Sequence, residues 1–132
     1  MIYIGKFLHT SNQQEKSNAK RRHGEFNLLV SANSKKAAVE KFKKCISETR
    51  ESADFFEGDC QIYLVHILEM ENIPADRARL FNFQSIVGDP AMPRISCQAP
   101  SAETDGCRIL DWQGNRPGVD GQASIPFMSF KN

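Results

Sequence analysis

The chain has 132 residues, 40% of them hydrophobic and 25% charged, with a net charge of +1. That is the length and balance of one globular domain, too apolar for disorder throughout and too interrupted by charge for a membrane protein. Purely apolar runs such as Ile62 to Val65 are far short of the ~20 residues a spanning helix needs.

Met1 to Leu8 lacks the order of charged, apolar and small residues found in a signal peptide, so a soluble, cytoplasmic protein with no membrane partner is expected. Cys45, Cys60, Cys97 and Cys107 are then reduced thiols, and no two of them have the C-x2-4-C spacing of a zinc site. Charge is unevenly spread. Residues 1–50 hold eleven Lys and Arg against four acids, and residues 51–132 hold six against twelve. Such asymmetry suits either a basic face for an anionic partner or two halves that neutralise one another.

The first strand is predicted over Ile2 to Leu8, with Ile2, Ile4 and Leu8 on one face and Tyr3 and Phe7 on the other. Thr10 to Gly24 is polar and aperiodic, a loop. Glu25 to Ser31 alternates Phe26, Leu28 and Val30 against polar neighbours, the pattern of a half-buried strand, and closes a hairpin with a long tip.

A helix follows over about residues 34 to 52. Ser34 is its N-cap, and Ala38, Phe42, Cys45, Ile46 and Thr49 make one apolar stripe flanked by Val39 and Ala53. Lys36, Glu40, Lys44 and Glu48 alternate in sign at i+4 steps on the opposite, solvated side.

Gln61 to Met70 is the third strand. Its apolar residues fall on both faces, which suggests a central position in the sheet. From Pro74 on, all six prolines and five of the eight glycines exclude long helices. Arg79 to Val87 is read as a fourth strand and Cys107 to Trp112 as a short fifth that turns at Gly114-Asn115. Residues 117–132 form an extended tail after a single domain over 1–116. The fold expected is therefore α+β in the order β-β-α-β-β, one amphipathic helix packed on a small, mostly antiparallel sheet, with a turn-rich C-terminal part.

Three constellations could carry function. Lys16, Lys20, Arg21, Arg22 and His23 gather at the hairpin tip, a basic loop long enough to be functional or simply solvated. Joined by Lys35, Lys36 and Lys43 of the helix, it could neutralise phosphates of a nucleic acid. If the first two strands pair, His9, His23 and Glu25 approach one another, as a metal site or a general base would require, or merely as polar groups at a hairpin end. In the tail, Phe127 and Phe130 stand among five apolar residues in six positions, suited to packing on the domain's own sheet or on a partner.

His66, mid-strand among apolar neighbours, is expected to be buried and neutral. Asp54, Glu57 and Asp59 do not follow a calcium loop. They keep a turn wet while Phe55 and Phe56 anchor it.

No nucleophile elbow, phosphate loop or dinucleotide fingerprint occurs, so no catalytic residue, cofactor or metal is assigned. The leading expectation is a small non-enzymatic binding or accessory protein that docks on another protein through the tip and the tail. Alternatives are a nucleic-acid-binding domain and a small enzyme or metal-binding protein with a histidine site.

Overall fold

A computed structural model describes residues 1–52, 55–88 and 126–131. The chain divides into two units, Met1–Leu80 and Phe81–Asn132.

The first unit is a small α+β fold. Strand β1 (Ile2–Ser11), strand β2 (Arg22–Ser31), helix α1 (Lys35–Ser52) and strand β3 (Cys60–Met70) follow in that order, with a single 3-10 turn at Asn18–Lys20 between the first two strands. The three strands form an antiparallel sheet in the order β2-β1-β3. The long hairpin is as expected, but its strands run further, so that the tip narrows to residues 12–21.

The centre of the sheet is β1. The register pairs Tyr3 with Val30, Gly5 with Leu28 and Phe7 with Phe26, placing these on one face, where α1 packs against β2 and β1. Tyr3, Phe7, Ala32, Ala38 and Phe42 are the buried hydrophobic core. The Phe7 ring stacks on Phe26 at a centroid distance of 5.0 Å and meets Phe42 edge-on at 5.6 Å, an arrangement that aromatic quadrupoles favour.

Ser34 caps the helix. Its Oγ accepts a hydrogen bond from the Ala37 amide at 3.1 Å, satisfying one donor of the first turn. Ala38 is wholly buried, Phe42 is 3% exposed, and Ile46 packs against them in part. Cys45 departs from expectation: it is an exposed free thiol. Three residues from Phe42, it lies about 60° round the helix, past the margin of the covered stripe. On the outer side Lys44 meets Glu48 at 3.7 Å, while Glu40 bonds Lys43 at 3.2 Å.

Among the described residues strand β3 is not central but forms one edge of the sheet, and its apolar residues lie on both faces for another reason. Lys6 pairs with His66 but Phe7 with Leu64, so Val65 is the extra residue of a bulge. The bulge shifts the two-residue period midway along the strand, because a one-residue slip exchanges the faces. Ile62, Leu64, Ile67 and Glu69 then share the helix side, and Tyr63, His66, Leu68 and Met70 the other. His66 is accordingly half-buried beside Lys6 on the face away from the helix, rather than in the core.

The strand expected over Arg79 to Val87 does not form. Residues 79–88 lack regular structure, and Leu80, Phe83 and Val87 are exposed. Asn82 at φ 57° and Gly88 at φ 108° interrupt the extended backbone that the alternation of Phe81, Phe83 and Val87 suggests. In the second unit, residues 81–88 and 126–131 are irregular. The expected fifth strand with its turn, Ala53, Asp54, Cys97, Cys107 and residues 117–125 lie outside the described residues. Among the described residues no helix is long and apolar enough to cross a membrane.

Candidate functional site

The hairpin tip is built by its own side chains. Asn12 leaves β1 in the left-handed conformation at φ 57°, which Asn tolerates better than most residues. Its amide donates to Asp59 O at 2.9 Å, and the Asp59 amide donates to Asn12 Oδ1 at 3.1 Å, so the first loop is tied to the start of β3. The Gln13 carboxamide donates to Ser11 O and Arg22 O, both at 3.1 Å, bridging the strand ends below the loop.

Arg21 closes the tip. Its guanidinium donates to Glu15 O at 3.1 Å, to Lys16 O at 3.3 Å and to Asn18 Oδ1 at 3.3 Å. A rigid fork with five donors can gather carbonyls that a lysine ammonium cannot hold in one geometry. Of the five basic residues at the tip, Arg21 is therefore spent inside the loop.

Lys16, Lys20, Arg22 and His23 remain at the surface. Among the described residues, the three cations Lys16, Lys20 and Arg22 have no carboxylate within 4.0 Å; the ion pairs there are Lys6–Glu25, Lys43–Glu40 and Lys44–Glu48. Arg22 pairs with Ser11 and His23 with Thr10, and consecutive strand residues point to opposite faces, so one lies on the helix side and the other on the open side.

The helix lysines do not join this cluster. Helix α1 starts beyond Ser31, at the far end of β2 from the tip. Nine strand steps of ~3.3 Å put about 30 Å between the two ends, so Lys35 and Lys36 stand far from Lys16 and Lys20, with Lys43 at mid-helix.

The histidine cluster is also not assembled. His9 pairs with Gly24, whereas Glu25 pairs with Leu8 and His23 with Thr10, which divides the three residues between the two faces. The His9 imidazole lies over Gly24, where a Cβ would come within 2.6 Å of Nε2, and its ring packs near Phe26 and Phe56. Glu25 instead meets Lys6 at 3.7 Å on the open face. Among the described residues no group of three His, Cys, Asp or Glu side chains could hold a metal ion.

Apolar surface is the second feature of the first unit. On β3 the consecutive residues Tyr63, Leu64 and Val65 are 49%, 45% and 48% exposed. In the second unit Phe127 and Phe130 are exposed. Phe56, by contrast, is used internally: its ring sits 4.9 Å from Phe26.

At the far end of β3, Glu69 pairs with Tyr3, and its carboxylate beside the phenol raises the Tyr3 pKa above the usual value, with burial of the ring adding to the effect.

No family model, no curated protein and no solved structure matches this chain.

Proposed function

We propose that the protein is a small non-enzymatic docking module whose partner is another polypeptide, received along the edge strand β3. The observation that carries this reading is the exposed run Tyr63-Leu64-Val65 at the bulge of a strand paired on one side only among the described residues. An edge strand offers unpaired amides and carbonyls to an incoming extended chain, and alternate side chains select its sequence. Cys60 to Leu68 contains no Lys, Arg, Asp or Glu, so this edge lacks the charges that usually ward off a further strand. Exposed Phe127 and Phe130 offer further apolar contact area of the kind that protein interfaces bury.

The test compares the tagged full chain with a variant carrying Leu64→Ser and Val65→Ser, both retrieving partners from native cells after nuclease treatment. Proteins held by the parent and lost by the folded variant support docking on β3. An identical set held by both, or loss of all partners on nuclease treatment, rejects it.

A further inference from the structure

The geometry points to a second binding site at the other feature of the fold: the hairpin tip is a preorganised seat for the phosphate backbone of a nucleic-acid duplex, contacted by Lys16, Lys20 and Arg22 and held in shape by Arg21.

Four observations lead there. Lys16, Lys20 and Arg22 are exposed and have no acidic partner within ion-pair distance among the described residues, although Lys6, Lys43 and Lys44 each have one. Exposed charges with no acidic partner beside them are available to an external anion. The loop that carries them is also fixed in advance. Arg21 binds two carbonyls and the Asn18 side chain, Gln13 bridges Ser11 and Arg22, and the Lys20 amide donates to Ser17 O at 3.1 Å. Ordering is thus largely complete before the ligand arrives, and a preorganised site loses less entropy on binding.

Placement decides the shape of the ligand. Arg22 lies on the helix side and His23 on the open side, with Lys16 and Lys20 on the loop beyond them. Lys16, Lys20 and Arg22 fall within seven consecutive positions at one end of the hairpin, a spacing that suits the closely set phosphates of a duplex backbone. Chemistry decides between duplex and single strand. No Phe, Tyr or Trp occurs from Ser11 to Glu25, so the small imidazole of His23 is the one ring there on which an unpaired base could stack, a poor platform for a single strand. Phosphate contact without base contact gives binding without sequence preference.

Carboxylates temper the site. Glu15 belongs to the loop, Glu57 and Asp59 lie at its base on the β3 side, and Glu25 is held by Lys6. Arg50 donates to the carbonyls on either side of Glu57, Phe56 O at 2.6 Å and Gly58 O at 3.0 Å, so the balance at this end stays positive.

Fluorescence anisotropy with the full chain and labelled 20-base-pair DNA and RNA duplexes, between 50 and 200 mM salt, tests the site. Each phosphate neutralised contributes about −0.9 to the slope of log K against log salt on B-DNA, so a slope of about −3 is expected. The triple variant Lys16→Ala, Lys20→Ala, Arg22→Ala should lose at least tenfold in affinity at 50 mM salt and most of the slope, with an unchanged circular dichroism spectrum. Arg21→Lys keeps the charge and loses the fork. As a positioning residue it should weaken binding several-fold while retaining most of the slope. Equal affinity of the triple variant and the parent would overturn the site, as would tighter retention by phosphatidylserine vesicles than by either duplex. Parent-like binding by Arg21→Lys would overturn the preorganisation.

Discussion

The carboxamide of Asn12 fills the space in front of Gly58 that a side chain would occupy. A Cβ at Gly58 would collide with Asn12 Oδ1 and stand 2.9 Å from Nδ2, and Gly58 also holds φ at +73°, where other residues are strained. Asn12 in turn exchanges two hydrogen bonds with the backbone of Asp59, so the glycine is the condition for tying the hairpin tip to β3. Gly58→Ala is expected to destabilise the fold by about 1–3 kcal/mol, from backbone strain and the clash together. In urea denaturation, adding Asn12→Gly should cost less on the Gly58→Ala background than alone, because there it also relieves the clash. Strict additivity of the two changes would show that the contact carries no energy.

The approach of the helix to the sheet depends on Gly5. It lies buried on β1, and a Cβ there would come within 2.6 Å of Phe7 Cε2 and 3.0 Å of Phe42 Cε2. Both rings are buried, and Phe7 is stacked on Phe26, so neither can yield freely. Gly5→Ala should therefore destabilise by about 1–3 kcal/mol through overpacking. Phe42→Ala should remove about 3–5 kcal/mol, by lost burial and the cavity left behind. The double variant should be more stable than the sum of the two losses predicts, since the cavity receives the new methyl group. Thermal unfolding of the four chains measures this, and an additive result would place the Gly5 effect elsewhere than under Phe42.

Helix α1 offers a simpler check. The Ser34 hydroxyl is the side-chain acceptor for the first turn, and no acid follows in that turn to compensate for its loss. Ser34→Ala should cost about 1 kcal/mol, and Ser34→Asp should recover the loss by restoring an acceptor and adding charge at the positive end of the helix dipole. A stability unchanged in both variants would contradict the cap.

Which parts of this fold were legible follows from the range of the forces involved. The helix, its cap and its buried stripe are set by spacing within one segment, and Ser34, Ala38 and Phe42 stand where periodicity puts them. The position of β3 is not legible in its own sequence because the bulge at Val65 is a two-strand property: nothing within Cys60 to Met70 marks where the period slips. Strand order is likewise set between segments, and β1 took the central place through Tyr3 and Phe7, which receive the helix. The histidine cluster failed on register alone, since neighbours such as Leu8 and His9 face opposite ways even when their partners are adjacent. At the tip, the basic composition was visible, but that Arg21 would turn inward onto Glu15, Lys16 and Asn18 was not. A guanidinium in a polar loop has no periodic signature.

The pair Tyr3 and Glu69 gives the fold an alkaline limit. The Glu69 carboxylate favours the neutral phenol, both as a hydrogen-bond partner and through its negative charge, and burial of the ring acts in the same direction, so Tyr3 titrates above its ordinary value of about 10. The folded chain therefore holds this proton more tightly than the unfolded chain. Its contribution to stability is complete below pH 10 and is lost as the pH rises through the raised pKa, because there the unfolded chain has already released the proton. Urea midpoints measured from pH 8 to pH 12 should fall on the alkaline side in the parent and fall less in Tyr3→Phe, which keeps the buried ring and has nothing to ionise. Glu69→Gln should flatten the profile in the same way by removing the charge. If the alkaline fall is as steep in Tyr3→Phe as in the parent, the proton being lost belongs to another residue, and the cross-strand pair at the head of β1 has no part in it.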